Sequence, residues 1–376
     1  MNVIIDINKN SDSLNYIIKG SFDEFKKNKR LLLSFKRLNF FIEKEAIYIP
    51  FRDETQTQVL QEIRKLLNKF GFQEELSEST KEEVKSYDRE EELFQEFSDK
   101  ARSIRNDEFK NRPELIKEFD IFQQVLKEKL DRKLYELQLL SAFHMAFAQN
   151  SCNFAVPGAG KTSIVYGAYT YLKNLPETNP KHVDKLLVIG PISSFAPWEN
   201  EYKACFGYTT SFQRLSGDNS ISKDTKLEHL YAPNPSEVTL IFHGGVDHLQ
   251  NEIIDFLKAN RTMVVVDEAH RIKNPDGVWG RSVTEISKEA IARVILTGTP
   301  VPNGYQDIYN LYKFIYPFKF KEILQIHFQN LEDMTINSSS DSARVQELKE
   351  NLSPFFIRIK KDDLGLPPIK EKIITI

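Results

Sequence analysis

The chain has 376 residues, enough for roughly two or three domains and a substantial buried core. Its 51 basic and 54 acidic residues leave a net charge of −3, so no global field favours nucleic acid and any basic face must be local. Two cysteines, Cys152 and Cys205, exclude a disulfide framework or a four-ligand zinc site and read as buried thiols of a reducing compartment. The start "MNVIIDINKN" lacks a signal-peptide pattern and no apolar run is long enough to span a bilayer, so a cytoplasmic chain with no membrane partner is expected.

In chain order, "NVIIDI", "LNYIIKG", "RLLLSF" and "EAIYIPF" alternate as strands do, and "TQVLQEIRKLLNKFGF" is helical. Residues 1–75 are thus expected to form a small α+β domain. Within it, Lys26, Lys27, Lys29, Arg30, Lys36 and Arg37 interleave with Phe25 and Phe35, which fits either a nucleic-acid surface or, with more weight, a solvated turn between two core elements. Residues 76–133 read as a charged helical segment. One stripe carries Leu93, Phe97, Ala101 and Ile104, another Leu115, Phe119, Phe122, Leu126 and Leu130, with Pro113 at a helix start. Glu90, Glu91 and Glu92 read as a solvated face.

From residue 134 the texture is α/β: "KLLVIG", "VTLIF", "TMVVVDE" and "RVILTGTP" are short apolar runs separated by loops and amphipathic segments, as in a parallel sheet. The loops "NLPETNPKH", "LSGDNSISKD" and "MTINSSSDS" read as surface excursions.

The stretch "NFAVPGAGKTSIVYGAYTYL" (153–172) predicts strand, tight loop, helix. In the loop Pro157, Gly158, Ala159, Gly160, Lys161, Thr162 and Ser163 suit a polyphosphate. The glycines let backbone N–H groups face an anion, Lys161 reaches the β and γ phosphates, and the Thr162 hydroxyl can ligate Mg2+. Ala155 stands where the full motif has glycine, and a glycine turn capping an ordinary helix is the competing reading of the loop alone. In "MVVVDEAH", Asp267 and Glu268 fall at the C-terminal end of an apolar strand, where open parallel sheets bind ligands. Asp267 suits Mg2+, and Glu268 suits the water that attacks the γ phosphate.

"DEAHRIKNPDG", followed by "ILTGTPVPNGYQDIYNLYKFIYP", resembles the Swi/Snf-type helicase-like ATPases of helicase superfamily two. The resemblance covers about residues 134–376 and implies a first RecA-like lobe that uses ATP and Mg2+. It further implies Gln138 in "LYELQLLSAF" as the adenine reader, and Thr297, Gly298 and Thr299 as a coupling motif. Ser193, Ser194, Lys273 and Asn303 are implied contacts to the backbone of double-stranded DNA, with Trp198 as packing, and Arg358 and Lys360 mark the exit from the lobe. Where the family has a threonine-tyrosine strand end the chain has "IFHGG", so His243 reads as a DNA contact or as a packed or capping group. The expected assembly is an N-terminal portion of a longer protein. A second RecA-like lobe outside this chain would complete the ATP site, and residues 1–133 would meet protein partners. Against a DNA translocase or remodeller stand two alternatives, a non-hydrolysing regulatory module and an RNA helicase. The Lys/Asn/Ile-rich composition suggests a bacterial or phage-related source.

Overall fold

The computed structural model describes residues 2–8, 15–50, 56–82, 85, 104, 111–217, 221–301, 303–337 and 342–364. The chain divides into two compact units, Met1–Gln95 and Glu96–Ile376.

The first unit is built on a five-stranded sheet of β1 (Asn2–Asn8), β2 (Asn15–Lys19), β3 (Phe41–Glu43), β4 (Ala46–Pro50) and β5 (Gln73–Leu76), in the order β3-β4-β2-β1-β5. Only the β1–β5 pair is parallel. Val3, Ile5 and Ile7 are buried while Ile4 is exposed, the period-two signature of a sheet covered on one face. That face packs on Phe25, Leu31, Phe35, Ile63 and Leu67.

One expected strand is a helix: "RLLLSF" lies in Lys29–Phe35. An unbroken apolar run carries no period of its own, so neighbours decide. Here the Asn28 side chain accepts from the Leu31 N–H as an N-cap, and Leu31 and Phe35, four residues apart, turn into the core while Leu33 stays exposed. The basic segment is therefore two short helices, Phe22–Lys27 and Lys29–Phe35, rather than a turn, with Lys26, Lys27, Lys29, Arg30 and Lys36 exposed. Leu93, Phe97, Ala101 and the Glu90–Glu92 cluster lie outside the described residues.

In the second unit, helix Pro113–Lys129 starts at its proline and sends Leu115, Phe122 and Leu126 into the main core. Its sheet has seven strands, all parallel: β6 (Asn150–Ala155), β7 (Lys185–Gly190), β8 (Phe212–Arg214), β9 (Val238–Phe242), β10 (Thr262–Val266), β11 (Ala292–Leu296) and β12 (Phe356–Ile359). The order is β12-β6-β11-β10-β7-β9-β8. Strands β6, β10 and β11 are buried along their whole length; β10 and β11 read as apolar runs for that reason, whereas β6 buries Asn150, Ser151 and Asn153. Because every strand points the same way, the loops after β6, β7, β9, β10 and β11 emerge on one edge, and β10 and β11 hold apart the edges of β6 and β7. Cys152 and Cys205 are both free and buried. The expected loops at 215–224 and 334–342 lie partly outside the described residues, as does everything after Leu364. Among the described residues no helix is long and apolar enough to cross a membrane.

Candidate nucleotide site

The site begins where β6 runs out. After Ala155 the chain turns through Val156–Gly160 and enters helix Lys161–Asn174, whose Ile164, Ala168 and Leu172 are buried beneath the loop. The turn needs positive φ at Gly158 (86°) and Gly160 (79°). A β-carbon at Gly160 would also meet Nε2 of Gln138, which would have to move aside. That carboxamide is held at both ends. Its oxygen accepts from the Tyr135 N–H (3.1 Å) and its nitrogen donates to the Ala159 carbonyl (3.2 Å), so Gln138 sits on the loop.

Lys161 extends back along the loop, its ammonium donating to the Ala155 carbonyl at 3.0 Å. Thr162 is half-buried in the first turn of the helix, and the Ser163 hydroxyl donates to Glu201, which also takes Arg132 at 2.5 Å.

Asp267 leaves the end of β10 with both carboxylate oxygens engaged on one side. Oδ1 accepts from the Glu268 N–H (3.0 Å) and Oδ2 from the Trp198 indole N–H (3.2 Å). Burial lifts its carboxyl above its ordinary pKa. The negative Glu268 adds to the rise, while the Trp198 hydrogen bond and the Lys161 charge oppose it. A carboxylate so desolvated, with lone pairs left on each oxygen, gains from a nearby divalent cation. A carboxylate and a hydroxyl, as on Asp267 and Thr162, are donor types that Mg2+ accepts, one or two protein oxygens beside phosphate and water. Among the described residues no cluster of three or more ligating side chains offers a self-sufficient metal cage. Glu268 adopts a left-handed backbone (φ 48°), and its carboxylate lies 3.3 Å from Nδ1 of His270.

The third loop follows β11. Thr297 is buried, its hydroxyl accepting from the Thr299 N–H at 3.1 Å, and Gly298 faces the phosphate-type loop: a β-carbon on it would stand 3.2 Å from Pro157 Cδ.

The expected nucleic-acid contacts divide. Ser193 is exposed after β7, while the Ser194 hydroxyl donates to the Pro191 carbonyl (2.8 Å). Lys273 and Asn303 meet through the buried Asp307, which pairs with the Lys273 ammonium (3.4 Å) and accepts from the Asn303 N–H (2.8 Å). His243 is corrected as a DNA contact. It has no exposed surface, and its Nε2 donates to the Asp267 carbonyl at 2.8 Å, so the packed reading holds. Arg358 lies within β12 and Lys360 just beyond it.

Three residues that shape the site carry no mark in the sequence. Trp198 was expected only to pack, whereas its N–H fixes Asp267. Glu201 and Asp307 act across 38 and 34 residues, on Ser163 and Lys273, through contacts that no local spacing encodes.

The sequence model of the SNF2-related domain family matches residues 154–376. The ISWI chromatin-remodeling complex ATPase CHR17 of Arabidopsis thaliana is 27% identical over 224 residues, covering 58% of this chain and 19% of that protein. The chromodomain-helicase-DNA-binding protein 1-like of Mus musculus is 28% identical over 242 residues, covering 63% and 25%. The Sulfolobus solfataricus SWI2/SNF2 ATPase core in complex with dsDNA aligns with a TM-score of 0.49 at 24% identity, over 63% of this chain and 47% of that one. The chain spans about a fifth to a quarter of the length of these two curated relatives. Plant and mouse relatives lend no support to a bacterial source.

Proposed function

The chain belongs to the SNF2-related domain family of Swi/Snf-type ATPases, and from that premise we propose that residues 134–376 are a first RecA-like lobe that binds ATP with Mg2+ and drives movement along double-stranded DNA. The observation that carries the reading is the meeting of three loops on one sheet edge: Gly298 stands against Pro157, and the Lys161 charge acts on Asp267.

In this reading the N–H groups of the loop 158–163 cradle the phosphates, and Lys161 leaves the Ala155 carbonyl to meet the β and γ phosphates. Thr162 and Asp267 would hold Mg2+, which would supply charge neutralisation. Glu268 orients the attacking water, and Gln138 reads the adenine from its seat beside Ala159. Thr297, Gly298 and Thr299 pass the state of the nucleotide to neighbouring elements. Joining this lobe to a second RecA-like lobe would contribute the transition-state arginine, worth about 10³–10⁵ in rate.

Duplex DNA is carried over from the relatives, which are named for chromatin remodelling and DNA binding. Ser193, Ser194, Lys273 and Asn303 are the proposed phosphate contacts, so binding should tolerate any sequence and weaken steeply with salt. Residues 1–133 are proposed to meet protein partners.

Calorimetry with a non-hydrolysable ATP analogue tests the loop. Lys161→Ala removes its one cation and should abolish measurable binding, and undiminished affinity would sink the assignment. Phosphate release with and without duplex DNA, by this chain and by one joined to a second lobe, tests the motor. DNA-stimulated turnover confined to the joined form is the expected result.

A further inference from the structure

His243 contributes to the site without reaching its surface. It follows β9, is fully buried, and lies nearly parallel to the Trp279 ring (centroids 6.3 Å, 18°), which also meets Phe242 edge-on at 5.2 Å. Its partner at Nε2 is a carbonyl, which can only accept, so the proton is on that nitrogen.

The carbonyl held is that of Asp267, and the peptide it belongs to is the one that leads into Glu268. The same peptide is gripped on its other side, because its N–H donates to Oδ1 of Asp267 at 3.0 Å. Immediately beyond it Glu268 takes φ 48° and ψ 50°, a conformation that a β-carbon makes costly. Such a residue persists only where its surroundings over-determine it. Two hydrogen bonds on one peptide plane, one from a side chain wedged between packed aromatics, meet that condition.

We propose that His243 is a positioning residue: by clamping the Asp267–Glu268 peptide it holds Glu268 in its left-handed conformation and aims both carboxylates at the nucleotide and its metal. The proposal deepens the nucleotide reading and rests on it for the roles of Asp267 and Glu268. It also links the loop after β9 to the acidic pair through one hydrogen bond.

Two variants of the full chain test it. His243→Leu removes the donor and keeps apolar bulk, while His243→Gln places an amide N–H where Nε2 was. Backbone amide exchange read by mass spectrometry should accelerate in peptides covering 264–272 of His243→Leu, with β6 and β11 peptides unchanged. Mg2+-dependent affinity for the ATP analogue should fall about 10-fold and Mg2+-free affinity stay put. His243→Gln should restore both. Wild-type exchange at 264–272 in His243→Leu, acceleration spread evenly over all strands, or a folded His243→Gln that fails to restore protection would each overturn the clamp. If the wild-type chain bound no nucleotide, the functional reading would fall, and the exchange comparison would still decide whether His243 holds this peptide.

Discussion

The indole N–H of Trp198 donates to Oδ2 of Asp267 at 3.2 Å across 69 residues of sequence, so a helix after β7 holds the carboxylate that ends β10. Trp198 is buried, and Trp198→Phe removes the donor with little loss of apolar contact. The variant should lose about 1–3 kcal/mol in urea unfolding, because a buried carboxylate oxygen is left short of a partner. Its Mg2+-dependent nucleotide affinity should drop by roughly 10–100-fold. An unchanged Mg2+ midpoint would show that the hydrogen bond does not position Asp267.

The two carboxylates at the end of β10 should separate on mutation. Glu268→Gln keeps shape and hydrogen-bonding reach but cannot draw a proton from water, so it should bind the ATP analogue normally and block turnover. Asp267→Asn should instead lower Mg2+-dependent binding. Calorimetry with and without Mg2+, paired with phosphate release, reads both, and identical behaviour of the two variants would refute the division of roles.

Gly160→Ala meets two obstacles, φ of 79° and the close approach of Gln138 Nε2 to the new β-carbon. The single variant should lose about 1–2 kcal/mol from the backbone alone, plus a steric part. Adding Gln138→Ala should recover the steric part only. Thermal unfolding of the single and double variants measures it, and full recovery in the double variant would mean that the left-handed backbone costs nothing there.

Asp6 predicts an acid sensitivity of the first unit. Burial alone would raise its carboxyl, yet hydrogen bonds from Lys19 (2.6 Å), Ser77 (2.7 Å), Ser79 (3.0 Å) and the Ile7 N–H (2.9 Å) outweigh that and lower it to about 2. A carboxyl depressed on folding adds stability above its unfolded value of about 3.9, and that stability is lost as pH falls from about 4 to about 2. The carboxylate is partly exposed, so roughly 1 kcal/mol is expected after solvent screening. Asp6→Asn should flatten this part of the stability-against-pH curve of the unit, and an unaltered curve would remove Asp6 as the cause.

Much of this architecture was legible in the residues. The buried strands β7, β9, β10 and β11 declare themselves as short apolar runs, and the loop 157–163 and the pair Asp267–Glu268 combine residue types whose chemistry has few other uses. The family resemblance drawn from "DEAHRIKNPDG" and "ILTGTP" is borne out by the match over residues 154–376. "RLLLSF" was misread because three consecutive leucines have no period to read, and the helix was decided by the Asn28 cap and by Phe35 reaching the core.

By itself, then, the sequence determined which chemical groups stand at the ends of which strands, because both strand periodicity and loop chemistry are local properties. Only the tertiary structure decided which distant groups hold them: Trp198 on Asp267, Glu201 on Ser163, Asp307 on Lys273, and His243 beneath the acidic pair instead of on a DNA surface. The reason is physical. A hydrogen bond between residues dozens of positions apart depends on strand order, and the order β6-β11-β10-β7-β9 is set by how the whole sheet buries its two faces.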